Sequence, residues 1–154
     1  MILIVHLLFG AAIGSVIKNM SGYPLGPIVL AFLSHYFLDL FPHVEYNIEN
    51  IEKKQWKNAI PQFTRALLDF CSGILLILIF SNNQPIIYIC ALSAIVPDGL
   101  SILNSMFKSR ALQTHDNFHH GKIHFLKYKK ISKFWRIASQ IAVVFASIVL
   151  LRGI

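Results

Sequence analysis

The stretch Leu33–His43, LSHYFLDLFPH, places two histidines and an aspartate in an otherwise apolar run that begins PLGPIVLAF. On a helix His35 and Asp39, spaced i, i+4, share a face, and His43 carries the stripe one turn further. What that face means depends on the solvent around it, and composition decides the solvent. The chain has 154 residues, 55% of them hydrophobic and only 14% charged, against about 25% charged in ordinary soluble domains. The helix therefore belongs in a membrane. There an ionisable group near mid-depth costs about 2.5–3.5 kcal/mol unless it is paired, hydrated or metal-bound.

Five apolar segments follow the same logic: Ile2–Ile17, Leu25–Phe41, Phe63–Phe80, Pro85–Ser105 and Phe134–Leu151. Each is close to the roughly 20 residues that cross a bilayer, the first being short. Lipid offers no partner to backbone N–H and C=O groups, so these segments are read as helices. The expected fold is thus an all-α integral membrane protein of about five spans, one domain over residues 1–154. Tight connections are expected at Lys18–Pro24 and Ser81–Gln84, and long polar ones at Pro42–Gln62 and Met106–Lys133. Met1–Ile17 lacks a basic start and a small-residue cleavage site, so no cleavable signal is expected. Cys71 and Cys90 lie in apolar runs, where a thiol packs as a small hydrophobe.

Charge orients the spans. Alternation puts the N-terminus and both long connections on one side. That side carries Lys53, Lys54, Lys57, Arg65, Lys108, Arg110, Lys122, Lys127, Lys129, Lys130, Lys133 and Arg136, leaving only Lys18 and Arg152 opposite. The positive-inside rule makes the loaded side cytoplasmic in a multi-pass protein of the cell (inner) membrane. The same rule, with anionic headgroups, accounts for the net charge of +7 without nucleic acid, which is not an expected partner. Membrane lipids are, with anionic headgroups held by the basic loop 106–133.

The polar groups inside the spans all fall toward that side: His6, His35, Asp39, Asp69 in the third segment, and Asp98 in the sequence IVPDGL. The second long loop adds THDNFHHGKIH, with His115, Asp116, His119, His120 and His124. Taken singly, a membrane histidine more often bonds a neighbouring helix than ligates. An aspartate can pair with Arg65 or cap a break near Pro97, and a basic loop can simply face lipid. Gathered together, three close carboxylates repel unless a cation or imidazoles resolve them. Histidine with aspartate suits zinc or manganese, with iron as the alternative. Two ions a few ångströms apart would use most of these groups, activating water and clamping a phosphoryl oxygen.

Other patterns compete. The H-x3-D of His35 and Asp39 matches one fragment of a lipid phosphatase motif whose Ser-Arg and PSGH elements are absent. HDNFHH has the H-x3-H-H spacing of di-iron membrane desaturases and hydroxylases, though as one box only. A non-enzymatic metal-binding or assembly protein is the third class, and the outer halves of the spans, poor in polar groups, argue against an ion path.

Four patches resemble the membrane-bound metal-dependent hydrolases of the YdjM type. VHLLFGAAIGSVIKN, from Val5, is similar to that family's G-H-L-L-F helix, with Val5 where a glycine is common. LSHYFLDLFPHVEY resembles its L-S-H-x3-D segment. IVPDGL resembles L-P-D-x-D-H, keeping Pro97 and Asp98 but lacking the second Asp and the His. HDNFHHG resembles H-R-G-x-T-H-S, keeping His115 and His120. The S-H-x3-D helix, last in the family, is second here. The resemblance implies a metal-dependent hydrolase.

The expected ligands are His35, Asp39, Asp98, His119 and His120. His6, His43, Asp69 and His115 are the catalytic candidates, any one a general base, and Asp116 and His124 are read as loop scaffolding. The expected reaction is hydrolysis of a phosphoester or lipid at the cytoplasmic leaflet.

Overall fold

In a computed structural model, which describes residues 1–17, 25–47, 49–107, 109–124, 126 and 129–153, each of the five apolar segments is a helix. The elements are α1 (Leu3–Ile17), α2 (Leu25–Asp39), α3 (Glu49–Glu52), α4 (Trp56–Phe80), α5 (Pro85–Met106), α6 (Arg110–Phe118) and α7 (Lys133–Leu151). A π turn, His119–Ile123, extends α6. No strand occurs among the described residues. The connection expected at Lys18–Pro24 lies outside them.

Three helices, α4, α5 and α7, are long and apolar enough to cross a membrane. α1 and α2 contribute 15 described residues each, on either side of residues 18–24. α1 packs against α2, α4, α5 and α7, so protein rather than lipid surrounds it, and it is apolar on all sides as a buried helix should be. α2 stops at Asp39 because Pro42 cannot continue the ladder. The last turn tightens instead, with Leu40 and Phe41 N–H donating to the Phe37 and Leu38 carbonyls.

Small residues bring α1 onto α5. A Cβ at Gly10 would stand 2.6 Å from Ala94 Cβ and 2.7 Å from the Cys90 carbonyl oxygen, and one at Gly14 would stand 3.0 Å from Ile87 Cα. Gly10 and Gly14 thus form a G-x-x-x-G seam, where close backbones substitute packing for a hydrophobic drive that lipid does not supply. Large apolar side chains such as Leu67, Ile79, Phe134 and Phe145 point outward instead, the surface expected of helices whose solvent is lipid.

The helices alternate in direction. Asp69, midway along α4, accepts from Ile4 N–H at 2.9 Å, so α4 runs a dozen residues past the start of α1. Ser139 and Gln140, near the start of α7, donate to the carbonyls of Pro42 and Val44. Hence the starts of α1 and α7, the middle of α4 and the end of α2 gather at one level of the bundle, beside the polar segments that follow α2 and α5. Between the α4 and α5 ends at the far side, Asn83 takes a left-handed φ of 55°, a conformation asparagine tolerates better than most residues.

Candidate metal centre

Each histidine of the cluster is aimed by its own element. On α2, His35 and Asp39 share the face turned to α5. Pro97 removes one N–H from the α5 ladder and loosens the turn before it, and the Ala94 carbonyl in that turn accepts from His35 Nδ1 at 2.8 Å. The π turn places two more. Its i→i+5 bond, His124 N–H to the His119 carbonyl at 3.2 Å, stacks residue 124 over residue 119, which a normal α-helix would not do. Such turns recur at functional sites. His119 Nδ1 then meets Ser101 Oγ at 3.3 Å, and His124 Nδ1 donates to Glu45 Oε1 at 2.7 Å.

The outer contacts decide what faces inward. A carbonyl and a carboxylate only accept, so they fix Nδ1–H on His35 and His124, and in the neutral ring this leaves Nε2 with a lone pair; Ser101 allows the same for His119. Those three Nε2 atoms converge on Asp39 Oδ2, at 3.1 Å from His35 and 3.2 Å from both His119 and His124. His119 Nε2 is also 3.1 Å from each of the other two Nε2 atoms. One nitrogen carries at most one proton, which cannot serve three neighbours. Filling every gap with protons would put imidazolium charges side by side in a dry site, where like charges are strongly disfavoured. A cation answers the geometry directly: donors about 2.0–2.1 Å from a tetrahedral ion lie about 3.3 Å apart.

The other oxygen of Asp39 has its own neighbours. Oδ1 lies 2.8 Å from the Met1 nitrogen, 3.3 Å from His6 Nε2 and 3.7 Å from His43 Nε2. His6 is completely buried and stacks on His35 with ring centroids 4.0 Å apart. Its approach to Asp39 lacks hydrogen-bond geometry, and neither of its ring nitrogens has a hydrogen-bond partner. His43 Nδ1 donates to the Phe41 carbonyl at 2.7 Å, and Nε2 stands 3.2 Å from Glu45 Oε1. Asp98 approaches from the wetter side, 26% exposed and 3.4 Å from His35 Nε2.

This buried histidine and aspartate cluster could hold a metal ion. Its donor atoms fall into three groups: His35, Asp39, Asp98 and His119; Asp39, His43 and His124; and His119, His120 and His124. All five residues expected as ligands are among them. His124, read as scaffolding, is instead a member of two groups, because the π turn rephases an i, i+5 pair that α-helical spacing separates. Of the catalytic candidates, His6 and His43 line Asp39, while His115 sits one layer out, bonded to Tyr36 OH at 2.9 Å. Asp69 lies elsewhere: it caps Ile4 N–H and accepts from Tyr46 OH. Asp116 pairs with His120 at 3.4 Å. Glu45 was missed, since a polar loop gives no periodicity to mark it. All seven histidines of the chain join one network of ring contacts, from His6 through His35 and His119 to His115, His120, His124 and His43.

Groups outside the spans feel this environment. Burial opposes charge on His124, but its hydrogen bonds to the Asp39 and Glu45 carboxylates outweigh it and lift the imidazole above its ordinary value. Burial and the bond to Asp69 push the Tyr46 phenol well above its ordinary value.

Searches against family models, curated proteins and solved structures return no match for this chain.

Proposed function

We propose that the chain is a membrane-embedded metal-dependent hydrolase acting on a phosphoester or lipid ester at the cytoplasmic leaflet of the inner membrane. The observation that carries the reading is the convergence of His35, His119 and His124 Nε2 on one buried oxygen of Asp39. Zinc or manganese fits these borderline-to-hard donors. Such an ion polarises an ester oxygen and acidifies bound water. Asp98, at the accessible edge of the cluster and 3.4 Å from His35 Nε2, would complete the donor set that holds the ion. Around the site all five helices are taken to cross or fill the bilayer, N-terminus in, as the basic connections favour.

The basic loop supplies the substrate's anchor. Arg136 is engaged by the carbonyls of His43, Leu126 and Lys129, which leaves exposed lysines such as Lys122 and Lys130 to meet an anionic headgroup. The four patches that resemble YdjM-type hydrolases point to the same reaction class.

A second reading has one specific observation behind it. The site is richer in histidine than its depth pattern suggested, and Asp69 is not part of it, so the donor set shifts toward that of di-iron oxygenases. Turnover of phospholipid and phosphomonoester panels separates the two. Hydrolysis under anaerobic conditions with zinc or manganese is the expected result. Activity that needs iron, a reductant and oxygen would replace hydrolysis with oxygenation.

A further inference from the structure

Asp39 is the pivot of two donor sets, and they use it differently. The first, His35, Asp39, Asp98 and His119, and the second, Asp39, His43 and His124, share no other residue, and within each the donor atoms lie within 4.8 Å of one another. His35 and His119 approach Oδ2, whereas His43 approaches Oδ1. His124 reaches Oδ2 from the π turn. Asp39 thus meets donors on both oxygens, Oδ1 lying also 2.8 Å from the Met1 nitrogen, and a carboxylate that meets donors on both oxygens can bridge two ions about 3.5–4 Å apart. From these contacts we infer that the site binds two divalent cations bridged by Asp39, one held by His35, Asp98 and His119 and the other by His43 and His124.

Three further features fit a pair rather than a single ion. The donors outnumber the four positions of a tetrahedral site. Glu45 takes His124 Nδ1 at 2.7 Å and stands 3.2 Å from His43 Nε2, so one carboxylate orients both histidines of the second set, as outer carboxylates do at metal sites. His6 is fully buried beside Oδ1 with both ring nitrogens unbonded. A buried polar ring without hydrogen bonds is a place where a bound ion commonly supplies the partner.

The inference rests on the metal-binding reading of the site and adds its stoichiometry. Titrate the detergent-purified full chain with Mn(II), following bound metal by elemental mass spectrometry and the ions' coupling by electron paramagnetic resonance. Two equivalents per chain with an exchange-coupled spectrum are expected. His43→Ala should lower the count to one and return the six-line signal of an isolated ion. A wild-type chain that saturates at one equivalent with the isolated-ion signal would overturn the bridge, and that result needs no variant to fold. Both readouts are blind to turnover, so a coupled pair in a chain that hydrolyses nothing would sink the hydrolase and leave the bridge standing.

Discussion

The two halves of α1 are held by opposite means. Toward its end, Gly10 and Gly14 press bare backbone onto α5, and everything gained there is contact. One turn from its start, His6 is just as buried but leaves both ring nitrogens without hydrogen bonds. The glycine half obeys the economy of a membrane interface, with small residues, close approach and no polar atom to satisfy. The polar half violates it, and such violations concentrate where a protein does chemistry. Damage to the polar half should therefore empty the site and spare the bundle, and damage to the glycine half should loosen the bundle first.

The largest effect belongs to Asp39, on which the polar half converges. Asp39→Asn keeps the shape and removes the charge that faces five imidazoles. Even outer-sphere changes cost 10–100-fold in metal affinity, so this variant should lose at least about 100-fold, read by elemental analysis after dialysis against a chelator. Helicity by circular dichroism should hold. Full metal retention would return His35, Asp39 and their neighbours to helix packing.

Next comes the glycine half. Gly10→Val drives a branched side chain into Ala94 and the Cys90 carbonyl, and neither can retreat without moving α5. Overpacking of this kind costs about 1–3 kcal/mol and occasionally more. The thermal midpoint in detergent should fall clearly, with metal lost only as the bundle opens. An unchanged midpoint would mean that α1 and α5 do not meet along this seam.

Glu45 tests the reach of the polar half into the loop. Glu45→Gln leaves an acceptor for His124 Nδ1 but no charge to orient it, and metal affinity should fall about 10-fold, toward the lower edge of outer-sphere effects. Glu45→Ala should fall further. Affinity unchanged in both variants would make the 2.7 Å contact incidental.

These residues differ in how visible they were before any fold was known. The helices were legible because lipid demands long apolar runs, and His35 with Asp39 because i, i+4 spacing is a helical face. His6 and Asp98 stood out by depth and by the family resemblance. The burial of α1 was not legible, since hydropathy cannot tell lipid from a sheath of other helices. His124 was hidden by a π turn that no periodicity announces, and Glu45 by a loop without pattern. Asp69 shows the converse error. An acid in a span was read as chemistry, and it serves a backbone N–H. The G-x-x-x-G of Gly10 and Gly14 stands in the sequence but went unread, and its partner helix needed the fold.

The smallest effect falls at that same acid, and it separates capping from catalysis. Asp69 accepts from Ile4 N–H, one of the donors a helix start leaves unsatisfied, and Tyr46 OH completes its shell. Tyr46→Phe removes one hydrogen bond from a half-buried pair and leaves the cap in place, so the loss should be about 1 kcal/mol. The sign with pH follows from the raised phenol. A neutral Tyr46 is favoured in the folded state, so its contribution is fully present below the ordinary tyrosine value and is lost as pH rises through the raised one. Thermal midpoints of the wild type should therefore fall at alkaline pH, and Tyr46→Phe should flatten part of that fall. Metal content should not move, because neither residue touches the histidine cluster. A variant with an intact midpoint but depleted metal would place Tyr46 and Asp69 in the site after all, and the polar half of α1 would extend to its first turn.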